Sequence, residues 1–276
     1  MDWSLVLISQ GIESIIDQSA EDGSWRLIIA DADAARAQTA IQLYEAENRH
    51  RRWQRPVEFA GLLFDGRAVL WFLCLVMLHS LVESGLEGLR LAGRMDAGAV
   101  AAGQWWRLVT ATTLHADLPH LIANTSTGIV LLGFAMGAYG VGFGLFGALL
   151  AGVFGNLCGL WLHPTPYHSL GASGMIMGSL GLLAAHSFHV ARRAQLAKLA
   201  WRGLLSGVFL LLLLGFNPAS DIVVHIGGFA GGIWVAPIFE IGDKDSKKKS
   251  QRDTLALVLA LALVLLSWAL ALVAGK

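Results

Sequence analysis

The chain has 276 residues, of which 55% are hydrophobic and only 14% are charged, and its 20 basic side chains balance its 20 acidic ones. This composition is too apolar for an ordinary soluble domain, and the 32 glycines favour closely packed helices over disorder. The zero net charge gives no indication of a nucleic-acid partner. Cys74 and Cys158 lie inside apolar runs and are interpreted as small buried hydrophobes, neither a disulfide nor a metal pair.

Residues 1–55 differ from the rest of the chain because acidic side chains are frequent and apolar segments are short. Three such segments precede a polar helical stretch that begins near Asp31 or Asp33, and either aspartate is a candidate N-cap. The pattern predicts a small α+β domain of two strands and two helices, which is marginal in stability at this size.

After this domain the apolar runs become long enough to cross a bilayer, which takes about 20 residues. Such spans must be helical, because lipid offers the backbone no hydrogen-bond partners. The predicted spans lie near residues 68–87, 119–139, 141–162, 172–190, 201–216, 221–240 and 254–274. The sequence therefore predicts an all-α polytopic membrane protein, with a six-helix core at 60–240 followed at 241–276 by a basic loop and a seventh spanning helix.

Lysine and arginine cluster in three regions between or before these spans, at 51–67, 192–202 and 244–252. Alternating crossings place all three on one side, which the positive-inside rule makes cytoplasmic. The domain at 1–55 is then cytoplasmic, and spans two, four and six all begin on the outer side. A bacterial inner membrane, with the periplasm outside, fits these short basic loops.

Polar side chains enter from that outer side on three helices. His115, His120 and Asn124 accompany the second span, Ser173 starts the fourth, and His225 lies about one turn into the sixth. Strongly polar groups within spans are costly and usually face the bundle interior or a water-filled cavity. A serine hydroxyl needs a neighbouring base and histidine titrates in the useful range, so Ser173 and His225 form a candidate catalytic dyad.

His120 and Asn124, spaced i and i+4, share one helix face and could both donate hydrogen bonds to the oxyanion of acyl transfer. Simpler interpretations stay open for each motif taken alone. The small residues around Ser173 suit helix packing, and His225 could bond a carbonyl within the bundle. A zinc pair at His163 and His168 lacks further ligands.

Four motifs in order resemble those of the rhomboid intramembrane serine proteases. Trp106-Arg107 is similar to the Trp-Arg of the first external loop, and His120-Leu-Ile-Ala-Asn124 to the HxxxN of the second helix. Gly171-Ala-Ser-Gly174 is similar to the GxSG box, and Val224-His-Ile-Gly-Gly228-Phe-Ala-Gly-Gly232 to the AHxxGxxxG of the sixth helix. The resemblance covers roughly residues 60–240.

The resemblance implies that Ser173 is the nucleophile and His225 the general base, without a third acidic member, a metal or a cofactor. His120 and Asn124 would form the oxyanion site, with His115 in support. Arg107 would hold the external loop by hydrogen bonds, and span five with the loop at 217–220 would gate lateral access of a substrate helix. The structural glycines would be Gly171, Gly174, Gly228 and Gly232.

Two positions depart from the family pattern. Met177 stands where many bacterial members carry a tyrosine one turn after the serine, and Val224 replaces the alanine before the histidine. Neither change removes a group that the chemistry requires, so the sequence favours an active enzyme.

The predicted function is hydrolysis of a peptide bond in or near a transmembrane segment, through an acyl-enzyme, with single-span or other membrane proteins as substrates in the lipid bilayer. A non-catalytic rhomboid-like membrane-protein binder (a pseudoprotease or chaperone) is the alternative, and loss of Ser173 or His225 would have indicated it. A small-molecule transporter would show internal repeats and broken helices at mid-membrane, and the sequence displays neither. The oligomeric state is not indicated.

Overall fold

The computed structural model describes residues 2–19, 24–48, 63–193, 196–215, 220–240 and 246–274. The chain separates into two compact units, Met1–Glu58 and Phe59–Lys276. The basic stretch at 51–55, most of the loop at 217–220 and the loop at 241–245 lie outside the described residues.

The first unit contains the two strands and two helices expected for this region. They are α1 (Asp2–Ser9), the antiparallel hairpin of β1 (Ser14–Gln18) and β2 (Trp25–Ile29), and α2 (Ala34–Asn48). Leu7, Ile12 and Ala37 form its small buried core. Asp31–Asp33 forms a single 3-10 turn before α2, and the Asp33 carboxylate accepts a hydrogen bond from Arg36 (2.7 Å).

The second unit is a helical bundle. Its helices are α3 (Ala68–Glu83), α4 (Glu87–Gly93), α5 (Ala97–Ala101), α6 (Arg107–Thr110), α7 (Leu118–Tyr139), α8 (Val141–Leu162), α9 (Ser173–Arg193), α10 (Ala197–Gly215), α11 (Ile222–Glu240) and α12 (Ser246–Ala274). Within the described residues, α7 to α12 are six helices long and apolar enough to cross a membrane, and α3 with α4 would make a seventh span. This arrangement confirms the prediction of a polytopic helical membrane protein.

The first predicted span is shorter than the apolar run suggested. Helix α3 ends at Glu83, and α4 departs from it at an angle of 119°. Gly85 lies in the break with φ +110°, a backbone conformation that glycine adopts without steric cost. The predicted span ran to residue 87 and so passed over this turn, although Glu83, Ser84 and Glu87 beside it are polar.

The expectation that both cysteines are buried was wrong. Cys74 on α3 is exposed, Cys158 on α8 is half-buried, and both are free thiols. A spanning helix turns part of its apolar surface outward to lipid, so an apolar run does not place every one of its residues in the bundle core.

Short segments tie the loop between α4 and α7 to the start of α9. The two-residue strands β3 (Met95–Asp96) and β4 (His168–Ser169) pair antiparallel, and the Gly171 N–H donates to the Ala111 carbonyl (2.9 Å). These bonds join the loop between α4 and α7 to the residues that lead into Ser173.

Helices α9 and α11 meet at a separation that glycine alone permits. A Cβ at Gly228 would collide with the carbonyl oxygen of Gly174, and a Cβ at Gly232 with that of Gly178. A Cβ on Gly174 would itself lie 2.9 Å from Cγ1 of Val224. The predicted packing of the GxxxG segment therefore places the helix of His225 directly against the helix of Ser173.

The seventh predicted helix, α12, is bonded to the bundle near both of its ends. Near its start, Asp253 accepts a hydrogen bond from the Phe143 N–H in the first turn of α8 (3.0 Å). Near its end, the indole N–H of Trp268 donates to the hydroxyl of Thr113 (3.1 Å), in the segment between α6 and α7.

Candidate active site

Ser173 is the first residue of α9 and is half-buried in the wall of a cavity of about 290 Å³. The cavity is lined by, among others, Arg94, His120, Gly171, Ser173, Asp221 and Val224. Gly171 turns the chain into α9 with φ +140°, which an L-residue rarely adopts, and the glycine also leaves room for its neighbours. The first N–H groups of α9, which have no partner within the helix, follow directly after this turn.

His120 lies beside this serine. A Cβ built on Gly171 would be 2.8 Å from Cε1 of His120 and 3.8 Å from Oγ of Ser173, so the imidazole and the hydroxyl flank the same glycine. Asp117 fixes the first turn of α7, because its carboxylate accepts the His120 N–H (2.8 Å). The structure thus brings together two residues that are far apart in the sequence.

Asn124 lies one turn further along α7 and is 7% exposed. Its side-chain Nδ2 is buried and makes no hydrogen bond to any residue that the structure describes. A buried amide donor without a partner is costly unless it meets water or a ligand group. Asn124 therefore retains a free donor on the helix face that it shares with His120.

His225 is buried in the first turns of α11, and its ring has one defined partner. Nδ1 lies 2.7 Å from the carbonyl oxygen of Gly215, the last residue of α10. A carbonyl oxygen only accepts, so Nδ1 carries the proton and Nε2 carries the lone pair. The structure consequently holds His225 in the tautomer that a base acting through Nε2 requires.

The expected hydrogen bond between Ser173 and His225 is not made. Nε2 of His225 is buried and has no hydrogen-bond partner within the described parts of the chain. Catalytic hydrogen bonds are often long or poorly aligned in ligand-free enzymes and tighten with substrate. The glycine contacts between α9 and α11 keep the two side chains on facing helices.

His115 lies just before α7 and is buried, 2% exposed. Its ring stands edge-on to that of His120, with centroids 5.4 Å apart. Burial, together with the nearby His120, holds the pKa of His115 well below its ordinary value, so the imidazole is neutral near pH 7. Neither ring nitrogen has a hydrogen-bond partner among the described residues.

Arg107 connects three parts of the loop between α4 and α7. Its guanidinium donates to the carbonyl oxygens of Leu91 and Arg94 (2.8 Å each) and to the side chain of Gln104 (2.7 Å). A planar fork of donors suits several fixed acceptors at once. The loop that carries Arg94 into the cavity wall is held through this side chain.

The two residues that depart from the family pattern are both buried on the facing helices. Met177 is 3% exposed on α9 and belongs to the main core, and Val224 is 4% exposed on α11. Val224 packs against Gly174, which has no side chain to oppose the extra methyl groups.

Sequence reasoning missed the roles of four groups at this site. Asp221 lies in the cavity wall before α11, Tyr167 and His163 bind its carboxylate, and the Gly215 carbonyl binds His225. An acidic residue at an N-cap position, one turn before a candidate base, was a readable signal for Asp221. The backbone carbonyl of Gly215 carried no signal at all.

The histidines considered as a zinc pair bind different carboxylates. His163 Nε2 lies 3.0 Å from Asp221 Oδ1, whereas His168 Nδ1 lies 3.2 Å from Asp96 Oδ2. Across the described residues, no three His, Cys, Asp or Glu side chains are grouped so as to hold a metal ion.

The fold is that of a multi-pass helical membrane protein in which Ser173 and His120 line one cavity. Asn124 and His225 are buried on the helices that carry cavity-lining residues. Residues 102–240, half of the chain, match the Rhomboid domain, and the chain belongs to the rhomboid family.

Three relatives show the range of similarity. The Rhomboid protease GluP of Bacillus subtilis is 32% identical over 195 residues, which is 66% of this chain and 37% of GluP. The Rhomboid-like protease 3 of Toxoplasma gondii is 26% identical over 218 residues, covering 74% of this chain and 81% of the relative. The RHOMBOID-like protein 5 of Arabidopsis thaliana is 29% identical over 160 residues, or 57% of this chain and 51% of the relative. This chain thus spans well under two thirds of GluP.

Proposed function

We propose that this chain is an intramembrane serine endopeptidase that cleaves transmembrane or juxtamembrane segments of membrane-protein substrates. The observation that carries the proposal is the tautomer of His225. The Gly215 carbonyl holds the ring proton on Nδ1, so the lone pair lies on Nε2. The helix that carries His225 packs through its glycines directly against the helix that carries Ser173. Membership of a family with named proteases supports the same reaction.

In the proposed acylation step, the Ser173 hydroxyl attacks the scissile carbonyl carbon while its proton passes to Nε2 of His225. The carbonyl oxygen becomes an oxyanion, and in this proposal the Ser173 N–H at the helix start, His120 and Asn124 bind it. The imidazolium then gives its proton to the leaving amine, and the acyl-enzyme forms. The Gly215 carbonyl orients and stabilises that imidazolium, the part that a carboxylate takes in a serine-histidine-aspartate triad.

Deacylation requires water at a serine that lies near the membrane surface. His115 and Asn124 are buried with polar atoms that have no partner in the described structure. Buried polar groups of this kind are normally bonded to ordered water. Water held by these side chains supports the second half-reaction, in which His225 deprotonates the water that attacks the acyl carbonyl.

The test is cleavage of a single-span reporter by the purified protein in detergent, together with labelling by a fluorophosphonate probe. Ser173→Ala should remove both signals, and His225→Ala should remove cleavage. Ser179→Ala is the matched control: it lies on the same helix, is buried, and bonds only the carbonyl of Met175 (3.2 Å). Cleavage that persists in Ser173→Ala would contradict the proposal. A protein that binds the reporter but neither cleaves it nor reacts with the probe would instead be the non-catalytic binder.

We further infer that the chain resides in a bacterial inner membrane with the first unit cytoplasmic and the cavity open to the periplasm. The basic side chains at 192–202 and 247–252, on the opposite helix ends from Ser173, support this orientation. A single cysteine at Ala116, in a variant with Cys74 and Cys158 replaced by serine, should react with an impermeant thiol reagent added to intact cells. Reaction only after lysis would reverse the assigned orientation.

A further inference from the structure

A polar cluster outside the proposed reacting groups joins the loop before α9 to the first turn of α11. We call His163, Tyr167 and Asp221 the Asp221 cluster. The Tyr167 hydroxyl donates to Asp221 Oδ2 (2.6 Å), and His163 Nε2 lies 3.0 Å from Oδ1. The two rings are stacked, with centroids 4.7 Å apart. Tyr167 is buried (8% exposed), and Asp221 is half-buried in the cavity wall.

The cluster does more than cap a helix. Capping α11 needs only the bond that Asp221 Oδ1 accepts from the Val224 N–H (3.1 Å). The bonds from His163 and Tyr167 add nothing to the helix itself, since they come from the loop after α8. They tie the start of α11 to a separate segment of the chain.

Both proposed reacting residues follow shortly after a member of this cluster in the chain. Asp221 lies one turn before His225, and its backbone carbonyl accepts the His225 N–H (3.1 Å). Tyr167 lies in the short loop that leads to Ser173, and its backbone carbonyl accepts the Ala97 N–H (3.0 Å). The residue that precedes α11, Asp221, is therefore hydrogen-bonded to Tyr167 in the loop that precedes α9.

We propose that the Asp221 cluster positions the reacting groups, by fixing the register of α11 against the loop that leads into α9. This register sets the separation of His225 Nε2 from Ser173 Oγ. The inference rests on the proposed function, and the three residues are positioning residues because they act through His225 and Ser173. A displacement of about 1 Å between reacting groups can cost roughly 100-fold in rate.

The deciding variant is Tyr167→Phe, which keeps the ring stacked on His163 and removes only the hydroxyl. Tyr139→Phe is its matched control, since Tyr139 is also buried (5% exposed) and its hydroxyl donates to the Leu182 carbonyl (2.9 Å). Tyr139 lies at the far end of α7 from His120, so its hydroxyl is remote from the cavity. Each variant removes a buried hydroxyl together with the bond that it donates, and thermal unfolding in detergent measures what each loss costs.

Tyr167→Phe should lower kcat for reporter cleavage by roughly 10-fold to 100-fold, with KM within about 2-fold, and slow fluorophosphonate labelling of Ser173 in parallel. Tyr139→Phe should lower the unfolding temperature by a similar amount and leave kcat within about 2-fold of the unmodified protein. Asp221→Asn should restore most of the kcat lost in Asp221→Ala, because the amide oxygen still accepts from Val224 and the amide NH₂ can donate to the Tyr167 oxygen.

Equal kcat values for Tyr167→Phe and Tyr139→Phe would overturn the positioning role while leaving the proposed function intact. An unmodified protein that neither labels nor cleaves would overturn the proposed function, and with it the catalytic part of this inference. A double-mutant cycle of Tyr167→Phe with Asp221→Ala on unfolding measures the bond independently of activity, because neither replacement side chain can form it.

Discussion

The carbonyl oxygen of Gly215 and Nδ1 of His225 lie 2.7 Å apart, and this bond decides which ring nitrogen is basic. We expect neutral His225 to carry its proton on Nδ1, because the carbonyl cannot donate. Nitrogen-15 NMR of histidine-labelled protein, with the resonance assigned by its loss in His225→Ala, measures the tautomer. A proton on Nε2 would contradict the expectation, and it would matter greatly, since the wrong tautomer costs roughly 10⁴-fold in kcat in a serine protease triad.

Asn124→Ala should slow cleavage by roughly 10-fold to 1000-fold, because one oxyanion donor is lost. The effect should fall on kcat, since the donor binds charge that develops in the transition state. Ser126→Ala is the control on the same helix: it is exposed, and its hydroxyl bonds only the Ala123 carbonyl (3.1 Å). Equal kcat values in these two variants would remove Asn124 from the oxyanion site.

Gly228→Ala should destabilise the bundle by about 1–3 kcal/mol, because the new methyl group meets the Gly174 carbonyl and α11 must move away from α9. Cleavage should fall with it, since His225 moves together with α11. In contrast, Gly88→Ala on α4 places a Cβ where nothing lies within 4 Å, and it should be neutral or slightly stabilising. The comparison is made by thermal unfolding in detergent, and an unchanged midpoint for Gly228→Ala would show that the helices can separate without cost.

The carboxylate of Asp221 should make stability depend on pH. Burial acts to raise the pKa of Asp221, but hydrogen bonds from Tyr167, His163 and the Val224 N–H outweigh it, and the pKa lies below its ordinary value. A group with a lowered pKa in the folded state stabilises that state above its unfolded pKa, about 3.9 for aspartate, and the contribution is lost as pH falls through the folded value.

Asp221→Asn should therefore be less stable than the unmodified protein at neutral pH, and the difference should shrink as pH falls below about 4. Unfolding midpoints of both proteins across this range measure the difference. A gap that stays constant with pH would mean that the charge of Asp221 does not contribute.

Arg107→Lys should loosen the external loop, because a single ammonium cannot replace the fork that binds Leu91, Arg94 and Gln104. We expect a loss of about 1–3 kcal/mol in stability, the range for bonds to charged groups. Limited proteolysis of the loop before α7 should accelerate in this variant, and a rate equal to that of the unmodified protein would show that Arg107 does not hold the loop.

The spanning helices α7 to α11 could be predicted to within a few residues, because each coincides with a long apolar run. The end of α3 was placed at residue 87, past the turn at Gly85, because the turn depends on the backbone conformation of that glycine and hydropathy does not report it. The motifs around Ser173 and His225 placed both residues on the correct helices. The partners that orient them escaped prediction, because Gly215 acts through its backbone and Tyr167 meets Asp221 across 54 positions of sequence.

Helix α12 supplies hydrogen-bond partners to two other parts of the bundle. Asp253 satisfies a backbone N–H at the start of α8, and Trp268 pairs with Thr113 beside the external loop. A chain cut back to the six-helix domain would leave a helix start uncapped at one membrane surface and the loop without its indole partner at the other. Minimal versions of this protein that end after α11 would therefore be compromised at both faces of the membrane, although every proposed reacting residue would still be present.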